Sequence, residues 1–305
     1  MSTALVSHTT PYGGSSSLRA WITCRPLSSF VVLAFVLTWP WLIADALGSR
    51  GLIPFRLTLS GPGIVLVLLM SYGPTFAALI ATWATEGSPG LRALLRRLLP
   101  WRASLGWYII ALAGPAALAF AAGQFQELLG ATWRPLPAPL LQVTLMGVLA
   151  SVIHGVANGE EIGWRGFALP RLQERHSALN ASLILGAIWA AFHIPIMFTL
   201  GGVGGSQTFA TLLPFLAGTL AMSVVVTSIF NATSGSLIAV ILLHGAMNSW
   251  PEVFAPAESS SGITWTGSAL MVLLAVVAVL VFGPTYLARM PGAALPMERE
   301  GKVQI

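Results

Sequence analysis

Charge is what this sequence lacks most: 8% of its 305 residues are charged while 55% are hydrophobic, where an ordinary soluble domain carries roughly 25% charged residues. So little charge cannot build a water-facing surface, and the bilayer is therefore the solvent for most of the chain. Internal disulfides are excluded by cysteine usage, because Cys24 is the single cysteine in the sequence. No His or basic cluster beside Cys24 activates its thiol. Internal repeats of the kind many transporters carry are absent as well. There is also no clear small-residue cleavage site around the first apolar run. Residues 1–26, with Arg19 and Arg25 in a Ser- and Thr-rich stretch, therefore read as a tail leading into an uncleaved first span.

What is present is apolar length. Eight stretches, near 28–48, 63–83, 106–125, 139–159, 179–199, 210–230, 236–252 and 264–288, each approach the roughly 20 residues that a spanning helix needs. Connections rich in Gly and Pro, such as 201–205 and 134–139, separate them. The expected fold is all-α, a polytopic membrane helical bundle of about eight transmembrane helices. One membrane domain, 27–288, lies between the tail 1–26 and a second tail, 289–305, with its polar motifs within 139–253. No length remains for a separate soluble domain.

The basic residues set the expected orientation. With the N-terminus inside, twelve of the 15 Lys and Arg residues fall on the cytoplasmic side, and Arg50, Arg56 and Arg134 fall on the other. This predicts a multi-pass protein of the cell membrane with both termini cytoplasmic. The net charge of +5 then reflects topology and lipid contact rather than a nucleic-acid partner. Leu residues interleaved with Arg92, Arg96 and Arg97 predict a short amphipathic helix over 91–101. Trp39, Trp41, Trp101 and Trp107 near span ends read as interface anchors.

Ionisable groups inside such helices are costly and need a partner, water or a function. Glu160 and Glu161 end the fourth stretch, His193 lies in the fifth, and His244 lies in the seventh with Asn248 one turn further on. If the fourth helix runs on past Arg165 and turns at 173–177, the glutamates and His193 face each other about 22 Å from that turn. All of these groups can then meet in a cavity expected to open to the cytosol. Glu161 and Arg165, four apart, can pair and leave Glu160 as a free carboxylate suited to general-base work. His154 is expected to turn away from the glutamates and to serve packing. His176 reads as a turn residue and His8 as part of the tail.

Three short motifs carry a resemblance. Glu160, Glu161 and Arg165 are similar to an EExxxR motif, Trp189 to His193 to an FxxxH motif, and His244 to Asn248 to an HxxxN motif. Their order resembles that of the CAAX endopeptidase and bacteriocin-processing (CPBP) family, also called Abi-like, of intramembrane proteases. Trp189 stands where the family more often has Phe, a change expected to alter packing only. The resemblance implies a glutamic peptidase in which Glu160 and His193 activate a water and His244 and Asn248 hold the oxyanion. Glu161, Arg165 and Trp189 would support them. It implies a peptide or lipidated-protein substrate and no cofactor.

Other classes are weighed against this reading. Zinc could be held by Glu160, His193 and His244, although the HExxH signature is absent and the ligands would come from three helices. A transporter would also place charged groups in a cavity, but the missing repeat counts against it. A non-enzymatic immunity-type membrane protein is a further alternative, against which the intact motifs stand.

Overall fold

A computed structural model describes residues 16–56, 61–99, 103–132, 136, 138–198, 209–254 and 265–289. Among them every regular element is helical. The sequence expectations concerning His8, Trp101, Arg134, the 201–205 connection and the tail from 290 onward lie outside the described residues.

Six helices are long and apolar enough to cross a membrane: α2 (Pro26–Ser49), α5 (Leu105–Leu128), α6 (Leu140–Asn158), α9 (Phe209–Ala232), α10 (Leu237–Phe254) and α11 (Trp265–Phe282). The other two expected stretches are irregular. One consists of α3 (Pro62–Ser71) and α4 (Gly73–Arg96), which meet at Tyr72, and the other is the 15-residue α8 (Ala178–Phe192), which stops at His193. Part of the expected N-terminal tail is also helical: α1 (Ser16–Cys24) packs on α2 and α4 and buries Ile22. Outward faces are apolar, with Leu141 and Leu145 of α6 and Leu280 of α11 all exposed. Such a surface is stable in lipid and not in water.

Small residues bring α6 and α10 together. A Cβ added to Gly245 would meet the Ser151 carbonyl, and one added to Gly155 would meet the Ile241 carbonyl at 2.5 Å. This close approach is how membrane helices gain packing energy without a hydrophobic drive between them. It sets α6 and α10 antiparallel and fixes the depth of His244 relative to the end of α6.

The ends of several helices gather on one side of the bundle. Leu237 N donates to the Arg97 carbonyl, Arg97 Nη1 donates to the Gly166 carbonyl at 2.9 Å, and Ala178 N donates to the Thr285 carbonyl. Arg171 pairs with Glu86, and Gln173 Nε2 donates to Asn231 Oδ1. Arg92, Arg96, Arg97, Arg171, Arg175 and Arg289 belong to the helix ends and turns on this side, which we call the basic end. Here α4 kinks at Gly87, where φ is +64°. Its last turns form the expected short amphipathic piece, with Leu94 buried and Leu95 exposed.

Candidate active site

The fourth apolar stretch is not the continuous helix expected from the sequence. It stops at Asn158, because Gly159 takes the left-handed conformation (φ +57°) that only Gly adopts without cost. A ring at Tyr72 packs where a Gly159 Cβ would lie. The carbonyls freed by the break are not left bare in lipid: Tyr72 Oη–H donates to the Val156 carbonyl at 2.6 Å and Thr75 Oγ1–H donates to that of Gly159. The chain then winds as a π-helix over Ile162–Ala168 and continues as α7 (Leu169–Gln173) before the turn to α8. Such π segments concentrate at functional sites, and Glu160 and Glu161 sit directly before this one.

Glu160 is buried and held at three points. Its Oε2 accepts from Trp164 Nε1 at 3.0 Å and from Trp189 Nε1 at 2.8 Å. Its Oε1 faces His193 Nε2 at 3.6 Å, longer than a hydrogen bond. Glu160 is thus not the free carboxylate expected, and Trp189 does more than pack. Trp164 was not singled out in the sequence, although it lies four residues after Glu160, the spacing that also pairs Glu161 with Arg165.

His193 caps the C-terminus of α8. Its Nδ1 lies 2.8 Å from the Trp189 carbonyl. A carbonyl only accepts, so Nδ1 carries the proton, and in the neutral ring Nε2 presents a lone pair toward Glu160. Trp39, read as an interface anchor, instead reaches inward and donates its indole N–H to the Phe192 carbonyl at 3.0 Å, which steadies this helix end.

Glu161 is the hub of a second group. Its Oε1 accepts from Arg165 Nη1 at 3.1 Å and lies 2.8 Å from His244 Nδ1. The Arg165 side chain is fully buried, with its guanidinium 4.5 Å from the centroid of the Trp189 ring. Trp189 therefore joins both groups: its N–H binds one carboxylate while its face covers the cation that neutralises the other. Arg165 balances one of the two adjacent carboxylates.

Glu160, His193, His244 and Asn248 line one cavity of about 680 Å³. His154 and Asn158 line it too. His154, expected to turn away, has its Nδ1 3.0 Å from Ser249 Oγ and borders this space, because the break at Gly159 ends the helical rotation on which that expectation rested. The rest of the lining is rich in Met and aromatic side chains, among them Met222, Met247, Met271, Phe192 and Phe215. The cavity runs along the helices away from the basic end. Its further lining includes Leu42 of α2, Gln126 of α5, Pro214 of α9, Phe254 of α10 and Gly267 of α11, all on the halves of their helices remote from that end.

Among the described residues, no three His, Cys, Asp or Glu side chains converge as a metal-holding group. The alternative zinc set of Glu160, His193 and His244 is not such a group.

Comparison with known proteins places these motifs. The family described as type II CAAX prenyl endopeptidase Rce1-like matches residues 138–250, a segment holding all three motifs. CAAX prenyl protease 2 of Methanococcus maripaludis is 30% identical over 124 residues, covering 40% of this chain and 45% of that protein. The chain thus spans less than half the length of the curated relative it matches.

Proposed function

We propose that this multi-pass membrane protein, whose residues 138–250 match the family described as type II CAAX prenyl endopeptidase Rce1-like, is an intramembrane endopeptidase that hydrolyses a peptide bond in a membrane-associated or lipidated polypeptide. One observation carries the reading: Glu160 Oε1 and His193 Nε2 face each other at 3.6 Å at the cavity wall. With Nδ1 protonated, His193 offers an acceptor there, and so does the carboxylate. A water lying beside both acceptors at the cavity wall can donate to them, which leaves its own lone pair for a scissile carbonyl. Glu160 takes the proton as the water attacks and returns it to the leaving amine. The indoles of Trp164 and Trp189 hold the other carboxylate oxygen, so Glu160 needs no rotation during the step.

His244 and Asn248, four apart on α10, are the candidates for oxyanion donors. Because Nδ1 of His244 gives its proton to Glu161, Nε2 can donate only when the ring is imidazolium. No cofactor is needed for these steps.

The test is cleavage of a labelled transmembrane peptide by purified protein in lipid nanodiscs, compared with Glu160→Gln. Loss of cleavage with unchanged peptide binding supports the reading, and equal cleavage by the variant defeats it.

A further inference from the structure

Three helix breaks surround the site, and each leaves a backbone carbonyl short of a donor from its own helix. At the end of α8 it is the carbonyl of Phe192: Pro195, three residues on, has no N–H, and the N–H of Ile196 goes to the His193 carbonyl at 3.1 Å. At the junction of α3 and α4 it is that of Met70, because Pro74, four residues on, has no N–H either. At the end of α6 it is that of Gly159, since the Gly163 N–H goes to the Glu160 carbonyl at 2.9 Å instead.

Two adjacent residues of α2 answer two of these breaks. Thr38 Oγ1–H donates to the Met70 carbonyl at 3.0 Å, and Trp39 Nε1–H donates to the Phe192 carbonyl at 3.0 Å. Gly73 lets α2 come this close, since a Cβ there would meet Thr38 Oγ1. The 72–75 junction in turn answers the third break, where Tyr72 and Thr75 donate to the carbonyls of Val156 and Gly159. Its Pro74 carbonyl also lies 2.5 Å from where a Gly163 Cβ would stand. The junction thus grips the chain on both sides of Glu160 and Glu161. One route from α2 ends at the candidate base and the other at the helix end that carries His193. We propose that Thr38 and Trp39 are positioning residues that together set the separation of Glu160 and His193, Thr38 through the 72–75 junction and Trp39 through the end of α8. All four donors lie outside the segment 138–250 that matches the family. The catalytic half of this proposal rests on the protease reading, and the structural half does not.

Thr38 and Thr75 are buried, so a carbonyl that loses its donor there has no water to turn to, and the chain must shift to find another partner. A displacement of about 1 Å at a reacting group can cost about a hundredfold in rate. With the labelled transmembrane peptide in nanodiscs, Thr38→Val, Thr75→Val and Trp39→Phe should each lower kcat roughly ten- to a hundredfold while KM stays within about twofold. Thr38→Ser and Thr75→Ser keep the hydroxyl and should stay within about threefold of the parent in kcat. Thr144→Val, which removes a hydroxyl bonded to the Leu140 carbonyl of its own helix, should match the parent. Parental kcat in the Val and Phe variants, Ser variants as slow as the Val ones, or a raised KM with unchanged kcat overturns the positioning role. Should one variant fail to accumulate, the other two decide.

Amide hydrogen exchange in the same nanodiscs reads the frame without turnover. Thr38→Val should speed exchange over 159–163, to which Thr38 makes no hydrogen bond, and Trp39→Phe should speed it over 193–196. Parental exchange over 159–163 in Thr38→Val overturns the route through the junction. A parent protein that cleaves nothing, beside variants whose exchange responds as expected, would instead defeat the protease reading and leave the frame standing.

Discussion

The indole N–H of Trp189 donates to Glu160 Oε2 at 2.8 Å, so the aromatic that opens the second motif is a hydrogen-bond partner of the candidate base and not only a packing surface. Its ring also covers Arg165. Phe at this position would keep the ring and lose the bond.

Trp189→Phe should therefore lower kcat/KM roughly ten- to a hundredfold, the span expected for one hydrogen bond to a charged group, with little change in the amount of protein in the membrane. Trp164→Phe should do the same. Because both indoles hold one oxygen, the double variant should lose less than the product of the two. Steady-state kinetics in nanodiscs would check this, and near-neutral behaviour of Trp189→Phe would restore packing as its whole role.

Glu160→Gln and His193→Ala should abolish turnover while peptide affinity persists. Asn248→Ala should retain measurable activity, about 10²–10³ below the parent, as for loss of one oxyanion donor. A dead Asn248→Ala beside an active Glu160→Gln would reverse the assigned roles.

Arg165→Ala should accumulate poorly. The side chain is fully buried against Glu161, and removing one partner of a buried pair costs about 3–5 kcal/mol by leaving the other charge uncompensated. Thermal denaturation in detergent would measure the loss, and parental stability would show that Glu161 is neutralised by His244 alone.

Strong chelators should leave cleavage unchanged, because no three His, Cys, Asp or Glu side chains among the described residues converge as a metal-holding group. Activity lost on chelation and restored by zinc would favour the metal set over the glutamate base.

How much of this was legible beforehand differs from residue to residue. The pairing of Glu161 with Arg165 follows from a spacing of four on one helical face, and the structure has it at 3.1 Å. The meeting of Glu160 with His193 follows from their equal distance from the 173–177 turn. Trp39 was misread because it was placed by its nearness to a span end, and His154 because it was placed by helical rotation. Neither the inward reach of Trp39 to the Phe192 carbonyl nor the end of helical rotation at Gly159 leaves a periodic trace.

By itself the sequence determined the solvent and the chemistry. With 8% charged and 55% hydrophobic residues the chain must bury its backbone polar groups in helices and live in lipid, and the few ionisable groups left inside must find one another. Tertiary structure alone decided which group each one found and along which helices the cavity runs. The clamp of Tyr72 and Thr75 on the broken end of α6, the two indoles on Glu160 and the turn of His244 onto Glu161 all depend on contacts between distant helices. Those contacts are set by where small residues such as Gly155 and Gly245 let backbones approach, a matter of shape that helical periodicity does not encode.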